Sequence, residues 1–424
     1  MRDKYLVVGD GVFGPLMALS LRLNNIHCDL LMTKSISQQD QGVIVLTPSS
    51  TQILGDVFNI AVPHGSVVTR FLSFDHVGNE LSDMNLNKYR LDGVSPTFYV
   101  CQRHRIQESL LSLCKSGSLA CKILPESAVL DYAKIRTNED DTVNAELLNT
   151  PFINSRYKKI ICTNRDQSSA LFMQENHQAS SESQLVTLMP TCRWLELTIP
   201  ALSEAKGDGF APGGNELVEL ITNASSKLIV KPTLIGTKLF YNVLFSMKRG
   251  MKGPQAHLYE PRKYWNDFVM HWSAGKPEYI NHTLFQPLMS EIQRKCDGGK
   301  MLVYKTPSFV RKEWATHQGT VLHIGPSAYS TYADAVDVLD NCGFADCYLL
   351  AQRLAKEENS AVQWLQTTRR GEVMAALEFH KDLNDFTFRE RGQFAYMCNR
   401  FQMKILGKFK KKWGSILKPM ISLL

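Results

Sequence analysis

Tyr5-Leu6-Val7-Val8-Gly9-Asp10-Gly11-Val12-Phe13-Gly14 runs an apolar strand straight into Gly-x-Gly-x-x-Gly. An apolar helix follows from Pro15 to Asn24, with Leu16, Ala18, Leu21 and Leu23 continuing its pattern, and then a second strand, Cys28 to Met32. Strand, fingerprint, helix and strand within about 30 residues form a dinucleotide-binding unit. Gly9 makes the tight turn after the strand. Gly11 keeps backbone bare where a pyrophosphate would approach, and Gly14 lets helix and strand pack closely. The positive end of the helix and its N–H groups then face the phosphates. The plainer alternative is a Gly-rich turn in an α/β protein that takes no nucleotide.

One expected part is missing. The acid that bonds the ribose hydroxyls belongs at the end of the second strand. Met32, Thr33 and Lys34 stand there, and Asp29 lies too early, inside the strand.

The chain has 424 residues, 44% apolar and 21% charged, enough for two domains or one large domain with an insertion. Much of the net charge of +7 sits near the C-terminus, which points to a local basic surface and not to nucleic-acid binding. No helix-turn-helix, zinc-finger or aromatic RNA-binding signature is present. None of the ten cysteines has C-x-x-C spacing, so no metal site is expected. They read as reduced thiols of a cytosol-facing, cytoplasmic protein. The first strand begins almost at Met1, so no cleaved targeting segment is expected, and no run of 18 apolar residues suggests a membrane-spanning helix.

Further along, Val67 to Phe74 and Thr97 to Cys101 read as strands. Arg103 stands at the start of a helix whose Ile106, Leu110 and Leu113 share a face. A cation gains nothing from the dipole there, so either an anion lies nearby or Arg103 is a solvated surface residue. Arg193 to Ile199 and Leu239 to Met247 are strand candidates, and Glu260 to Ala274 and Thr283 to Cys296 read as helices of an inserted domain. Gly319 to Gly325 is a strand ending in glycine, followed by a helix from about Asn341 to Lys356. Ser360 to Lys412 reads as mostly helical. Gln174 to Gln184 is polar and Ser-rich, a loop.

This order resembles the FAD-dependent aromatic hydroxylases, the class A flavoprotein monooxygenases, and within them the kynurenine 3-monooxygenase family. The resemblance rests on Gly9 to Gly14, the Arg103 helix, Glu196-Leu197-Thr198-Ile199-Pro200 and Asn341-Cys342-Gly343-Phe344-Ala345-Asp346. It implies an α/β fold: a Rossmann-like FAD-binding domain, an inserted mixed-sheet substrate domain and a C-terminal helical segment. The expected division is 1–185 and 306–358 for the FAD-binding domain, with strands near 65–100 belonging to the substrate domain. The substrate domain would then be 186–305 and the helical region with its basic tail 359–424. It further implies FAD, NAD(P)H as co-substrate, and a small aromatic or amino-acid-like ligand. Gly9, Gly11, Gly14, Arg103, Gly325, Asn341 and Gly343 would hold FAD. A non-catalytic relative keeping the fold as a binding or scaffold protein is the alternative. No second glycine fingerprint supports a separate nicotinamide domain.

The chain departs from the family pattern at several points. Cys162-Thr163-Asn164-Arg165 replaces a Gly-rich central stretch, Pro326 replaces the aspartate that meets the ribityl chain, and Asp337-Val338-Leu339 replaces Gly-x-Gly. His380-Lys381 stands where the family places a Tyr-Asn pair.

Arg70 is the candidate substrate residue. Alternation puts it on one face with Val68 and Leu72, and the family uses an arginine in the matching strand to hold a carboxylate. A buried guanidinium needs an anion, and its planar fork suits a carboxylate. The alternatives are an internal ion pair with an acid such as Asp75 or Glu80, or an edge-strand Arg in water. At the end, Lys404, Lys408 and Lys410 to Lys412 precede Trp413, Ile416, Leu417 and Leu424. That pattern suits a segment lying on a membrane surface, such as the outer mitochondrial membrane. The alternative is a helix packed on the body of the protein.

Overall fold

The computed structural model describes residues 4–32, 42–60, 65–75, 80–88, 97–125, 127–149, 154–163, 185–186, 193–202, 212–221, 226–247, 262, 265–266, 269, 285–298, 303–305, 309–330 and 336–378. The basic tail, His380-Lys381, Asn164-Arg165, Thr33-Lys34, the Ser-rich loop and most of the Glu260 helix lie outside them.

Lys4–Val8 is the centre of a six-stranded sheet. Its order is Ala315–Thr316, Val321–His323, Lys159–Cys162, Lys4–Val8, His27–Leu31, Lys122–Ile123. All neighbours are parallel except the first pair. Such strands are covered on both faces, which is why Leu6, Val7 and Val8 are an unbroken apolar run. The helix Phe13–Leu23 and the late helix Val336–Lys356 share one core with this sheet, through Leu16, Leu19, Phe344 and Leu350. The late helix starts five residues before the position read from sequence.

A seven-stranded sheet runs Val303–Lys305, Arg193–Pro200, Lys238–Met247, Ser226–Ile235, Glu216–Ile221, Arg70–Asp75, Glu80–Asn85. Only Glu216–Ile221 and Arg70–Asp75 pair in parallel, so the sheet is mixed, as expected. Its strands alternate. Leu197, Ile199, Val230, Tyr241, Val243 and Phe245 turn to one side, where Leu288, Met289 and Ile292 of the helix Gln286–Asp297 cover them. The opposite side packs on a small sheet of Val43–Leu46, Phe98–Gln102 and Ser66–Val68, where Phe71 and Leu217 meet Val68, Phe98 and Val100.

The Val67–Phe74 stretch is two strands in two different sheets. Ser66–Val68 joins the small sheet and Arg70–Asp75 the large one. Thr69 is the crossing point: its N–H donates to the Asn215 carbonyl at 2.9 Å and its own carbonyl accepts from Leu86 N–H at 2.8 Å.

Candidate functional site

The glycine loop has the geometry its spacing demands. Gly9 N–H donates to the Leu31 carbonyl at 3.0 Å and joins the loop to the second strand. Gly11 has φ +75°, and a Cβ there would meet nothing within 4 Å. The space in front of this residue is open, and only glycine adopts the conformation without strain. A Cβ on Gly14 would collide with the carbonyl of Gly9. No side chain caps the helix at Val12 and its first turn has no acid, so the positive end is not neutralised from within that turn.

The surroundings of this loop are less open. Met32 is buried in the main core, and an apolar side chain offers a ribose nothing. Phe13 turns its ring toward the late helix. A Cβ on Gly343 would lie 2.6 Å from Phe13 Cε1, and one on Gly325 would lie 3.8 Å from Phe13 Cγ. Phe13 also meets Phe344 edge-on, with ring centroids 5.8 Å apart. Gly343 is therefore small because Phe13 packs on it. Pro326 sits in the single turn Gly325–Ser327 and has no N–H to give.

Asn341 is a buried cross-link. Its Oδ1 accepts from Thr47 N–H at 2.9 Å, Thr47 Oγ1 at 3.0 Å and Ser50 Oγ at 2.5 Å, and its Nδ2 donates to the Val45 carbonyl at 2.7 Å. The anion opposite Arg103 is a protein carboxylate: Arg103 Nη2 donates to Asp340 Oδ2 at 2.5 Å. Arg103, Asp340, Asn341, Gly343 and Gly325 thus converge around the late helix.

A polar knot that the sequence reading did not assign lies beside this pair, where the large sheet meets the small one. Glu196 Oε1 accepts from Val43 N–H at 3.2 Å and from Asn242 Nδ2 at 2.9 Å. Removal from water pushes the Glu196 carboxyl up, and the nearby charges of Lys231 and Arg103 oppose that push. Lys231 and Asn242 face each other across neighbouring strands and are both buried. Asn242 Oδ1 and Thr233 Oγ1 are buried with no hydrogen-bond partner among the described residues. Lys231 and Asn242, each flanked by apolar residues inside Ser226–Ile235 and Lys238–Met247, were the available signal.

Arg70 is corrected by the structure. It does not point into an interior pocket. Its side chain is 38% exposed, with Nε and Nη2 on the two Asp83 oxygens at 2.8 and 2.9 Å and Nη1 on Glu216 at 3.0 Å. The expected alternation with Val68 fails because Thr69 separates two sheets. The guanidinium fork is already filled within the protein, as the ion-pair alternative has it, with Asp83 and Glu216 as the acids.

No protein-family model matches the chain, and no curated protein matches it by sequence. Solved structures match it in fold along its whole length. The p-nitrophenol 4-monooxygenase PnpA from Pseudomonas putida DLL-E4 superposes with TM-score 0.72 at 16% identity, covering 100% of this chain and 98% of that one. HpxO from Klebsiella pneumoniae, complexed with FAD and uric acid, gives TM-score 0.71 at 13% identity, covering 99% and 96%. CtdE, in complex with FAD and a substrate, gives 0.68 at 12% identity, covering 98% and 100%. The chain has the fold of FAD-dependent aromatic monooxygenases.

Proposed function

We propose that this chain is a FAD-dependent oxidoreductase that uses NAD(P)H and oxygen on a small aromatic, kynurenine-like substrate. The observation that carries the reading is the glycine loop: Gly11 bare and open at φ +75°, in front of a helix start that no Val12 side chain caps. Those features fit a pyrophosphate, and structures of the same fold hold FAD. Gly9, Gly11 and Gly14 would bind that end of the cofactor. When bound, FAD would supply the redox chemistry that lets oxygen react with an aromatic ring.

The polar knot supports an amino-acid-like substrate. A buried amide oxygen without a donor costs about 1–3 kcal/mol. Asn242 Oδ1 and Thr233 Oγ1 suit a substrate that brings N–H groups of its own, and a substrate amino group does so. Glu196 would hold its proton or its charge according to what lies opposite it, and Lys231 and Arg103 would set that balance.

A second reading has its own support. Met32 is buried in the core, Phe13 packs against Gly343, Arg103 is closed on Asp340, and the Asn341 amide bonds Thr47, Ser50 and Val45. These contacts use up groups that a flavin would need, and they favour a relative that keeps the fold without turnover. The visible spectrum of the purified full chain, before and after added FAD, separates the two. Flavin bands that shift on binding, with NAD(P)H oxidation stimulated by an aromatic amino acid, support the enzyme. A colourless protein that leaves added FAD unperturbed supports the second reading.

A further inference from the structure

Where the large sheet meets the small one, buried polar atoms are left without a hydrogen-bond partner among the described residues. Asn242 Oδ1 and Thr233 Oγ1 lie on the large sheet, in residues 0% and 1% exposed. Ser66 Oγ, in a residue 4% exposed, lies on the small-sheet strand that packs against Ser226–Ile235. Folded interiors pair nearly all such groups. Orphans gathered in one interface point to a partner that the protein does not itself supply.

Strand register sets their placement. Asn242 stands opposite Lys231, and Thr233 follows two residues along the same strand, on the same face. Asn242 and Thr233 are therefore diagonal neighbours, about 7–8 Å apart at Cα. Asn242 Nδ2 donates to Glu196 Oε1 at 2.9 Å. That bond fixes which end of the amide faces Glu196, so Oδ1 is turned the other way. An amide oxygen only accepts, whereas the Thr233 hydroxyl can donate. Glu196 and Thr198, on the strand that pairs with Asn242 from the other side, are partly exposed, so solvent reaches this end of the face.

A ligand that matches these two atoms brings an N–H to Asn242 and an oxygen to Thr233. Diagonal neighbours on a sheet reach ligand atoms that are adjacent, not groups at opposite ends of a ring. Charge narrows the choice further. Lys231 is 3% exposed, opposite Asn242 and beside Thr233, and the charges of Lys231 and Arg103 both act on this knot. A further ammonium there is repelled. A neutral N–H and a carbonyl oxygen are not.

We propose that this face of the large sheet reads a neutral N–H and a carbonyl oxygen on adjacent positions of an aromatic ligand. Asn242 Oδ1 accepts from the first, and the Thr233 O–H donates to the second. An amine ortho to a ketone presents this pair, and so does a ring lactam. The inference rests on the aromatic substrate class proposed above and specifies which edge of that substrate the sheet recognises.

The test is calorimetric titration of the full chain, with and without added FAD. The probes are 2-aminoacetophenone, oxindole, 4-aminoacetophenone and acetophenone. The first two carry N–H and C=O side by side, as ortho-amino ketone and as lactam. At least one of them should bind about tenfold or more tighter than the last two, and the tighter one identifies the ligand type. Thr233→Val keeps the shape and removes the hydroxyl, and it should weaken that probe about tenfold. The inference is overturned if neither adjacent-group probe is favoured by that margin under either condition, or if Thr233→Val binds it as the natural chain does. The probe comparison uses the natural chain, so it stands even if the variant fails to fold. A chain that discriminates the probes without holding FAD or oxidising NAD(P)H keeps this inference and loses the enzyme reading. One that turns over while binding the probes alike does the reverse.

Discussion

Arg369 Nε and Asp346 Oδ1 form an ion pair at 2.6 Å with 1% and 0% of their side chains exposed. Asp346 Oδ2 also accepts from Tyr329 O–H at 2.6 Å and Gly325 N–H at 3.3 Å, and Arg369 Nη2 donates to the Cys342 carbonyl at 3.2 Å. The aspartate that ends Asn341-Cys342-Gly343-Phe344-Ala345-Asp346 therefore ties the late helix to the Gly325 turn and to the helical segment beyond it.

Removing one partner of a buried ion pair leaves the other charge stranded, at a cost of about 3–5 kcal/mol. Arg369→Met is expected to lose stability of that order in urea unfolding. Glu372, a half-exposed second partner of Arg369, should be nearly neutral when changed to Gln. Equal effects from both substitutions would show that the Asp346 pair is not what holds this region.

FAD is expected to bind weakly. Charge-assisted hydrogen bonds are worth about 1.5–3 kcal/mol each, and Met32 and Pro326 forgo two of them. That weakens binding by about two to four powers of ten. Extensive dialysis should strip FAD from the natural chain. Met32→Glu should tighten FAD about tenfold or more by fluorescence titration. One stoichiometric FAD retained by the natural chain after dialysis would sink the expectation.

Glu196 should leave a signature in the pH dependence of stability. Burial raises its carboxyl above the usual range, so the native state keeps a proton that the unfolded chain has released. The contribution is present below the unfolded value, about 4.3, and is lost as pH rises through the raised native value. Urea midpoints across that window should fall for the natural chain and flatten for Glu196→Gln. Parallel curves would exclude a raised Glu196.

Arg70 should matter little to ligands. Its pair with Asp83 is one-third exposed on each side, where ion pairs contribute under about 1 kcal/mol. Arg70→Met is expected to bind aromatic amino acids as the natural chain does, by calorimetric titration. The hydrogen bond from Arg70 holds the Asp83 carboxyl down. Its small stabilisation is present above the ordinary carboxylate value and is lost as pH falls through the lowered one. A large loss of ligand affinity in Arg70→Met would restore it to the site.

The tail pattern from Lys404 to Leu424 is proposed to seat on an anionic membrane surface, each Lys contributing about 1 kcal/mol. No helix among the described residues is long and apolar enough to cross a membrane. Flotation with anionic liposomes should carry the full chain and leave behind a chain ending at Gly407. Both staying in the soluble fraction would exclude the surface mode.

Local chemistry made much of the architecture legible. The unbroken apolar run at Tyr5–Val8, the three glycines and the alternation in Arg193–Pro200 and Lys238–Met247 each act over a few residues, and each yielded its element. The same short range misled at Arg70, because a two-residue period carries no mark of the place where a strand changes sheets. At Thr69 the decision comes from Asn215 and Leu86.

What the sequence determined alone is the strand, glycine loop, helix and strand of the first unit, the α/β class and the absence of an acid at Met32. All follow from backbone conformation and side-chain type at single positions. Tertiary structure decided which charges meet. Arg103 finds Asp340 across 237 residues, Asn341 reaches Thr47 across 294, and Glu196 reaches Val43 across 153. An ion or an amide has many candidate partners along a chain. Only the packing of sheets and helices brings one of them within hydrogen-bonding distance and takes the pair out of water.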